Sequence, residues 1–278
     1  HRDLHSFPTR RSSDLVATKL KKKTGIPLIV TEHSSEIIKP SLVKNLDALL
    51  HKTYPGADAI IAVSPALAHV ITHKYRHAAV YIPNMVDIAT FTYEPHISNS
   101  SFRFVSVGNL IYRKRTDLTI EAFAHAFASF PQVSLTIFGE GDERPKLEKV
   151  IVDLGLSKKV FLRGLKKRQE IAKEFQQSDC FVLASQAETF GVAYIEAMAC
   201  GLPVIATQCG GVDAFLHTQN GILVPVDDRE PLTAAMKYMY THARDFNHAE
   251  ISQEIHTLFS PENVARQIME VYSSVLRV

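Results

Sequence analysis

The chemistry-bearing residues of this chain are densest in Glu188-Thr-Phe-Gly-Val-Ala-Tyr-Ile-Glu196. Glu188 follows an apolar run that ends near Ala184, and Glu196 falls on the second turn of a helix expected to begin near Gly191. Ligands of open α/β sheets bind at that edge, beyond the C-terminal ends of the strands. Gly191 lets a ligand approach the backbone, and the free N–H groups of a helix's first turn suit a phosphate. Paired glutamates also suit glycoside hydrolysis, but that reaction needs carboxylates flanking one bond, and nothing else in the chain supports it. The competing interpretation is a loop glutamate favoured by the helix dipole and a solvated helix glutamate.

Other eye-catching groups point to less. Cys180, Cys200 and Cys209 lack paired close spacing, so neither a disulfide framework nor a zinc site is indicated, and a cytoplasmic compartment is expected. His69, His73 and His77 share a helical face region without a metal-binding partner set and read as surface histidines. Gly139-Glu-Gly141 would need a glycine at Arg144 to form a dinucleotide loop. Lys19, Lys21, Lys22 and Lys23 read as a solvated helix end, with peripheral contact to anionic lipid as the alternative.

The elements that must position these groups alternate. Continuous apolar runs fall at 28–30, 59–63, 79–82, 103–107, 134–138, 160–162, 181–184, 203–206 and 222–224, as expected for parallel strands covered on both faces. Between them lie helical stripes such as Leu118, Ala122, Phe123, Ala126 and Phe127, or Leu147, Val150, Ile151 and Leu154. Ser260-Pro261 supplies an N-cap and first helical residue for a last helix with Val264, Ile268, Val271 and Val275 on one face. Strict alternation predicts an α/β fold with doubly wound parallel sheets. The Pro- and Asn-rich stretch 83–101 reads as a boundary, dividing a domain at 16–97 from one at 98–278 whose final helix returns to the first. Hydrophobic residues make up 46% and charged residues 22%, the balance of a soluble globular chain, and a net charge of +2 argues against a nucleic-acid partner. The chain starts at His1, and residues 1–15 (HRDLHSFPTRRSSDL) resemble a translated sequencing adapter. They are set aside as non-native, with no packed role expected, and the first domain is expected to be truncated.

Five segments occur together in one order: PNMVD at 83–87, VGNLIYRKRTDL at 107–118, FGEGDER at 138–144, ETFGVAYIEAMACGLPVIA at 188–206, and CGG at 209–211 with NGILVP beyond it. Over residues 27–276 the chain resembles glycosyltransferase family 4. That resemblance implies the GT-B fold, two Rossmann-like domains, and retaining transfer of a hexosyl group from a nucleoside-diphosphate sugar to a glycan or lipid-linked acceptor, in the setting of cell-surface polysaccharide assembly. It implies no metal or other cofactor, and the chain has no Asp-x-Asp motif.

The resemblance also implies roles. Glu196 would accept the nucleotide's ribose hydroxyls, and Glu188 would hold hydroxyls of the transferred sugar. The N–H groups of Phe190, Gly191 and Val192 would face the sugar and diphosphate, beside Gly108. Lys114 would neutralise the departing diphosphate, the charge such an enzyme most needs to stabilise. Leu165 would meet the base edge through its backbone, and His33 would stand near the reacting sugar. One departure matters: Asn109 stands where the family has arginine, and Arg113 and Arg115 are the candidates to replace that cation. The alternatives are a GT-B nucleotide-sugar epimerase and a nucleotide-binding fragment without turnover, and the truncated chain by itself is expected to be inactive.

Overall fold

A computed structural model describes residues 9–34, 36–37, 44–95 and 101–276. The chain divides into two compact units, residues 1–84 with 264–278, and residues 85–263. Each has its own parallel sheet.

In the first unit, α1 (Thr9–Thr24), β1 (Ile29–Glu32), α2 (Lys44–Thr53), β2 (Ala59–Ala62), α3 (Pro65–Tyr75) and β3 (Ala79–Tyr81) follow in order. The strands pair in parallel as β1-β2-β3. Helix α1 begins inside the segment set aside in the sequence; Leu4 and Phe7 lie outside the described residues, and Leu15 is exposed. Its later turns pack on the unit through buried Thr18 and through Lys21, which pairs with Asp58 at 2.6 Å and donates to the Gly56 carbonyl at 3.0 Å.

The second unit runs β4 (Phe102–Val107), α4 (Thr116–Phe127), β5 (Val133–Phe138), α5 (Arg144–Asp153), β6 (Val160–Leu162), α6 (Arg168–Gln176), β7 (Cys180–Leu183), α7 (Val192–Ala199), β8 (Val204–Thr207), β9 (Gly221–Val224), α8 (Arg229–His242) and α9 (His248–Phe259). Then α10 (Pro261–Leu276) lays Val264, Ile268 and Val271 against Ile61 and Ile82 of the first unit's core. Its first turn is capped by Ser260 Oγ, which accepts from the Asn263 N–H at 3.3 Å. No described helix is long and apolar enough to cross a membrane.

The six-stranded sheet is parallel throughout, in the order β6-β5-β4-β7-β8-β9. Counted from β4, this is the 3-2-1-4-5-6 order of the Rossmann fold, which reverses between β4 and β7. Every residue of β7 and β8 is buried, because helices cover both faces of the central strands. Phe104, Phe123, Phe127, Val182 and Met236 anchor that core.

The two units divide between Asn84 and Met85, inside the 83–101 stretch, and residues 85–95 pack with the second unit. The Val86 N–H donates to the Phe259 carbonyl at 2.8 Å, fully buried Phe91 lies 6.0 Å from the Phe175 ring, and Gln176 Nε2 donates to the Thr92 carbonyl at 3.0 Å. A stretch without helical period holds its place through these contacts.

Candidate active site

The loops after β4 and β7 meet at the point where strand order reverses, the place where open α/β sheets bind ligands. After β4 the chain turns through a short 3-10 segment, Tyr112–Lys114, and Arg115 takes a left-handed conformation before α4. After β7 it runs through Ser185 and Glu188 to Gly191, the N-cap of α7. Gly191 has φ 99°, and a Cβ there would lie 2.8 Å from Val212 Cγ1 and from the Tyr194 ring, so glycine is required. The loops are stitched together: the Gln186 N–H donates to the Arg113 carbonyl at 2.9 Å, and Arg113 Nη1 donates to the Ala187 carbonyl at 3.1 Å.

Lys114 and Glu188 form an ion pair, Nζ to Oε1 at 2.5 Å, with side chains only 15% and 9% exposed. Ser185, fully buried, donates its hydroxyl to the same oxygen at 2.7 Å. Thr207 in turn donates to the Ser185 carbonyl at 2.5 Å, and the Tyr194 hydroxyl donates to the Leu183 carbonyl at 2.8 Å. The Glu188 N–H donates to the Cys209 carbonyl, so the cysteine of the CGG motif backs the loop. Burial, with Glu188 as a smaller contribution, pushes the Cys209 thiol up to about 12 and keeps it protonated.

Glu196 belongs to a second cluster. Its side chain is 13% exposed and takes an ion pair from Arg168 Nη2 at 2.8 Å, while the Arg168 guanidinium stands 5.2 Å from the Phe91 ring centroid. Burial raises the Glu196 carboxyl above its ordinary range, Arg168 pulls it back, and Asp87 pushes it further up. Asp87 is itself held low, first by its bond with the Thr90 side chain.

The remaining sequence candidates divide. Gly108 and exposed Asn109 lead out of β4, and Leu165, 71% exposed, follows Gly164 beyond β6. The Phe190 ring is core, 5.4 Å from Phe215 and 5.5 Å from Phe259, so only its backbone is available to a ligand; Val192 is exposed at the start of α7. Arg115 is held by two carboxylates, Asp117 at 3.1 Å and Asp227. His33, exposed, follows β1 in the first unit. His69 and His73 stack at 3.9 Å, and among the described residues no group of three His, Cys, Asp or Glu side chains is placed to hold a metal. Ser185, Thr207, Arg168 and Asp227 were not among the sequence candidates. None of them sits in a pattern that separates it from ordinary strand-end or surface residues.

Such a sheet, with charged loops at its switch point, defines the Rossmann-like class of doubly wound α/β domains. The chain belongs to the glycosyl transferases group 1 family, whose model matches residues 91–252, and the glycosyltransferase family 4 model matches residues 5–90. It is 34% identical over 248 residues to alpha-monoglucosyldiacylglycerol synthase of Acholeplasma laidlawii, covering 79% of this chain and 62% of that protein. It is 28% identical over 237 residues to D-inositol 3-phosphate glycosyltransferase of Pseudarthrobacter chlorophenolicus, covering 76% of this chain and 56% of that protein. The chain thus spans less than two thirds of the length of either relative. The crystal structure of Anabaena Alr3699/HepE in complex with UDP superposes with a TM-score of 0.81 at 22% identity, covering 95% of this chain and 77% of that one. The fold is accordingly GT-B, with Rossmann-like domains.

Proposed function

We propose that this protein is the donor-binding part of a retaining glycosyltransferase, which moves a hexosyl group from a nucleoside-diphosphate sugar to a glycan or lipid-linked acceptor. The observation that carries the proposal is the Lys114–Glu188 pair between the loops at the switch point of the six-stranded sheet, with Glu196 on the second turn of the helix that the second loop opens. Glu196 accepts the ribose hydroxyls, and Glu188 holds hydroxyls of the sugar. The Gly191 loop and the start of α7 present N–H groups to the diphosphate.

Lys114 supplies the catalytic charge. As the bond between the anomeric carbon and the diphosphate breaks, negative charge builds on the leaving group, and a partly buried ammonium stabilises it more than a solvated one. Transfer by this route needs no metal and should persist in EDTA. UDP in the HepE structure and the lipid product named for the Acholeplasma relative support this donor and acceptor chemistry. Peripheral association with a membrane surface, as a lipid-linked acceptor requires, is part of the proposal.

The test is calorimetric titration of UDP, GDP and ADP into the chain and its Glu196→Ala variant. Loss of a charged acceptor for two hydroxyls should weaken binding by roughly 1–3 kcal/mol. Equal affinity of the two proteins would remove Glu196 from the site. With an extended protein, retention of anomeric configuration is read from the product by NMR, and inversion would refute the retaining assignment.

A further inference from the structure

The site contains a conflict. Lys114, the cation assigned to the diphosphate, is already bound to Glu188, the carboxylate assigned to the sugar. Both donors to Glu188 among the described residues, Lys114 Nζ and Ser185 Oγ, land on Oε1 at 2.5 and 2.7 Å. When a diphosphate arrives, the lysine is drawn toward it. Its stem has four flexible carbons, so the ammonium is free to follow the new charge. A carboxylate steered by Lys114 alone would move with it.

Ser185 differs from Lys114 in every property that governs placement. It has no exposed surface and directly follows β7 and Ala184, and its own carbonyl is fastened to the next strand by the Thr207 hydroxyl at 2.5 Å. Its side chain has one rotatable bond to its oxygen, against the four-carbon stem of lysine. The loop it serves is equally confined: Glu188 bridges to Gly210, and a Cβ on Gly211 would lie 2.6 Å from the Glu188 carbonyl oxygen.

We infer that Ser185 is a positioning residue for the donor site: its hydroxyl holds Glu188 Oε1 in place when Lys114 transfers to the diphosphate, so that Oε2 stays aimed at the sugar hydroxyls. Ser185 touches no substrate itself. The inference rests on the proposed donor site and adds to it a division of labour, a mobile cation for the diphosphate and a fixed hydroxyl for the sugar-binding carboxylate.

The sugar's own contribution to binding reads this out. Calorimetry on the full chain would compare UDP-glucose, GDP-mannose and ADP-glucose, each against its nucleoside diphosphate. In the wild-type chain one nucleotide-sugar should bind more tightly than its diphosphate. Ser185→Ala should lower affinity for that nucleotide-sugar about tenfold, the size of one hydrogen bond to a charged group, while affinity for the diphosphate changes less than about twofold. Ser185→Cys, nearly isosteric but a weak donor, should move the same way. An equal loss for diphosphate and nucleotide-sugar would make Ser185 merely structural and overturn the inference, as would no loss at all, or variants whose thermal unfolding shows they no longer fold. A wild-type chain that prefers no nucleotide-sugar over its diphosphate would instead overturn the assignment of Glu188 to the sugar, and the inference with it.

Discussion

Replacing Lys114 with methionine tests whether the Lys114–Glu188 pair behaves as a buried unit. At 2.5 Å and an effective dielectric constant near 20, the attraction is about 7 kcal/mol, and stripping water from both ions offsets most of it. The pair as a whole therefore adds little to folding, but either ion left alone is expensive. With Lys114 removed, Glu188 stays 9% exposed and keeps only the Ser185 hydroxyl of its two donors among the described residues. Breaking a fully buried pair costs about 3–5 kcal/mol, and the residual exposure and the serine bond reduce this to about 3 kcal/mol here. Glu188→Gln should cost less, about 1–2 kcal/mol, because the orphaned ammonium can reach water along its flexible stem. The double variant, with neither charge, should lose only about 1–2 kcal/mol in total, a coupling of about 3 kcal/mol. The chain has no tryptophan, so urea unfolding is followed by far-ultraviolet circular dichroism. A double variant whose loss equals the sum of the singles within about 0.5 kcal/mol would refute the buried-pair argument.

Nucleotide affinity should depend on pH through Glu196. On the proposed reading its raised carboxyl accepts the ribose hydroxyls more strongly when ionised, so affinity should fall as pH drops through a range above that of an ordinary glutamate. Arg168→Gln removes the cation that pulls this carboxyl down and should shift the fall to higher pH; calorimetry in a pH series showing one unchanged midpoint would contradict this. The sign for folding is opposite: the folded chain keeps this proton where the unfolded chain has lost it, so Glu196 costs stability as pH rises through that window. Gly141→Ala should destabilise by roughly 1–3 kcal/mol, because the added Cβ would stand 2.3 Å from the Leu110 carbonyl oxygen and 2.6 Å from its carbon, backbone atoms that cannot yield cheaply. A melting temperature equal to wild type would show that the loop after β4 relaxes freely.

The parallel strands were legible because burial on both faces removes the in–out alternation and leaves plain apolar runs, as in Val204-Ile-Ala-Thr. Their order was not legible, and the order is what makes a site. Lys114 and Glu188 lie 74 residues apart and meet because β4 and β7 are neighbours in the sheet. Glu196 could be singled out by its motif, yet its partner Arg168 stands in the run Lys166-Lys167-Arg168, which reads as solvated surface charge. Residues 85–95 looked like linker because they lack a period, and their attachment to the second unit comes from tertiary contacts such as Phe91 on Phe175 and Val86 on Phe259 that no local pattern announces.

The question left by Asn109 shows the same limit in electrostatic form. By sequence Arg113 and Arg115 are equivalent replacements for the absent cation. In the structure they are not. Arg115 is clasped by Asp117 and by Asp227, the latter 112 residues away, so a phosphate would have to compete with two carboxylates for it. Each carboxylate cancels guanidinium charge that a phosphate would otherwise meet. Arg113 is tied at both ends to the loop that carries Glu188: its carbonyl accepts from the Gln186 N–H, and its guanidinium donates to the neutral Ala187 carbonyl. Its place beside Lys114 is therefore fixed by the same loop that carries Glu188. The two carboxylates, Asp117 and Asp227, thus count against Arg115 as the second cation.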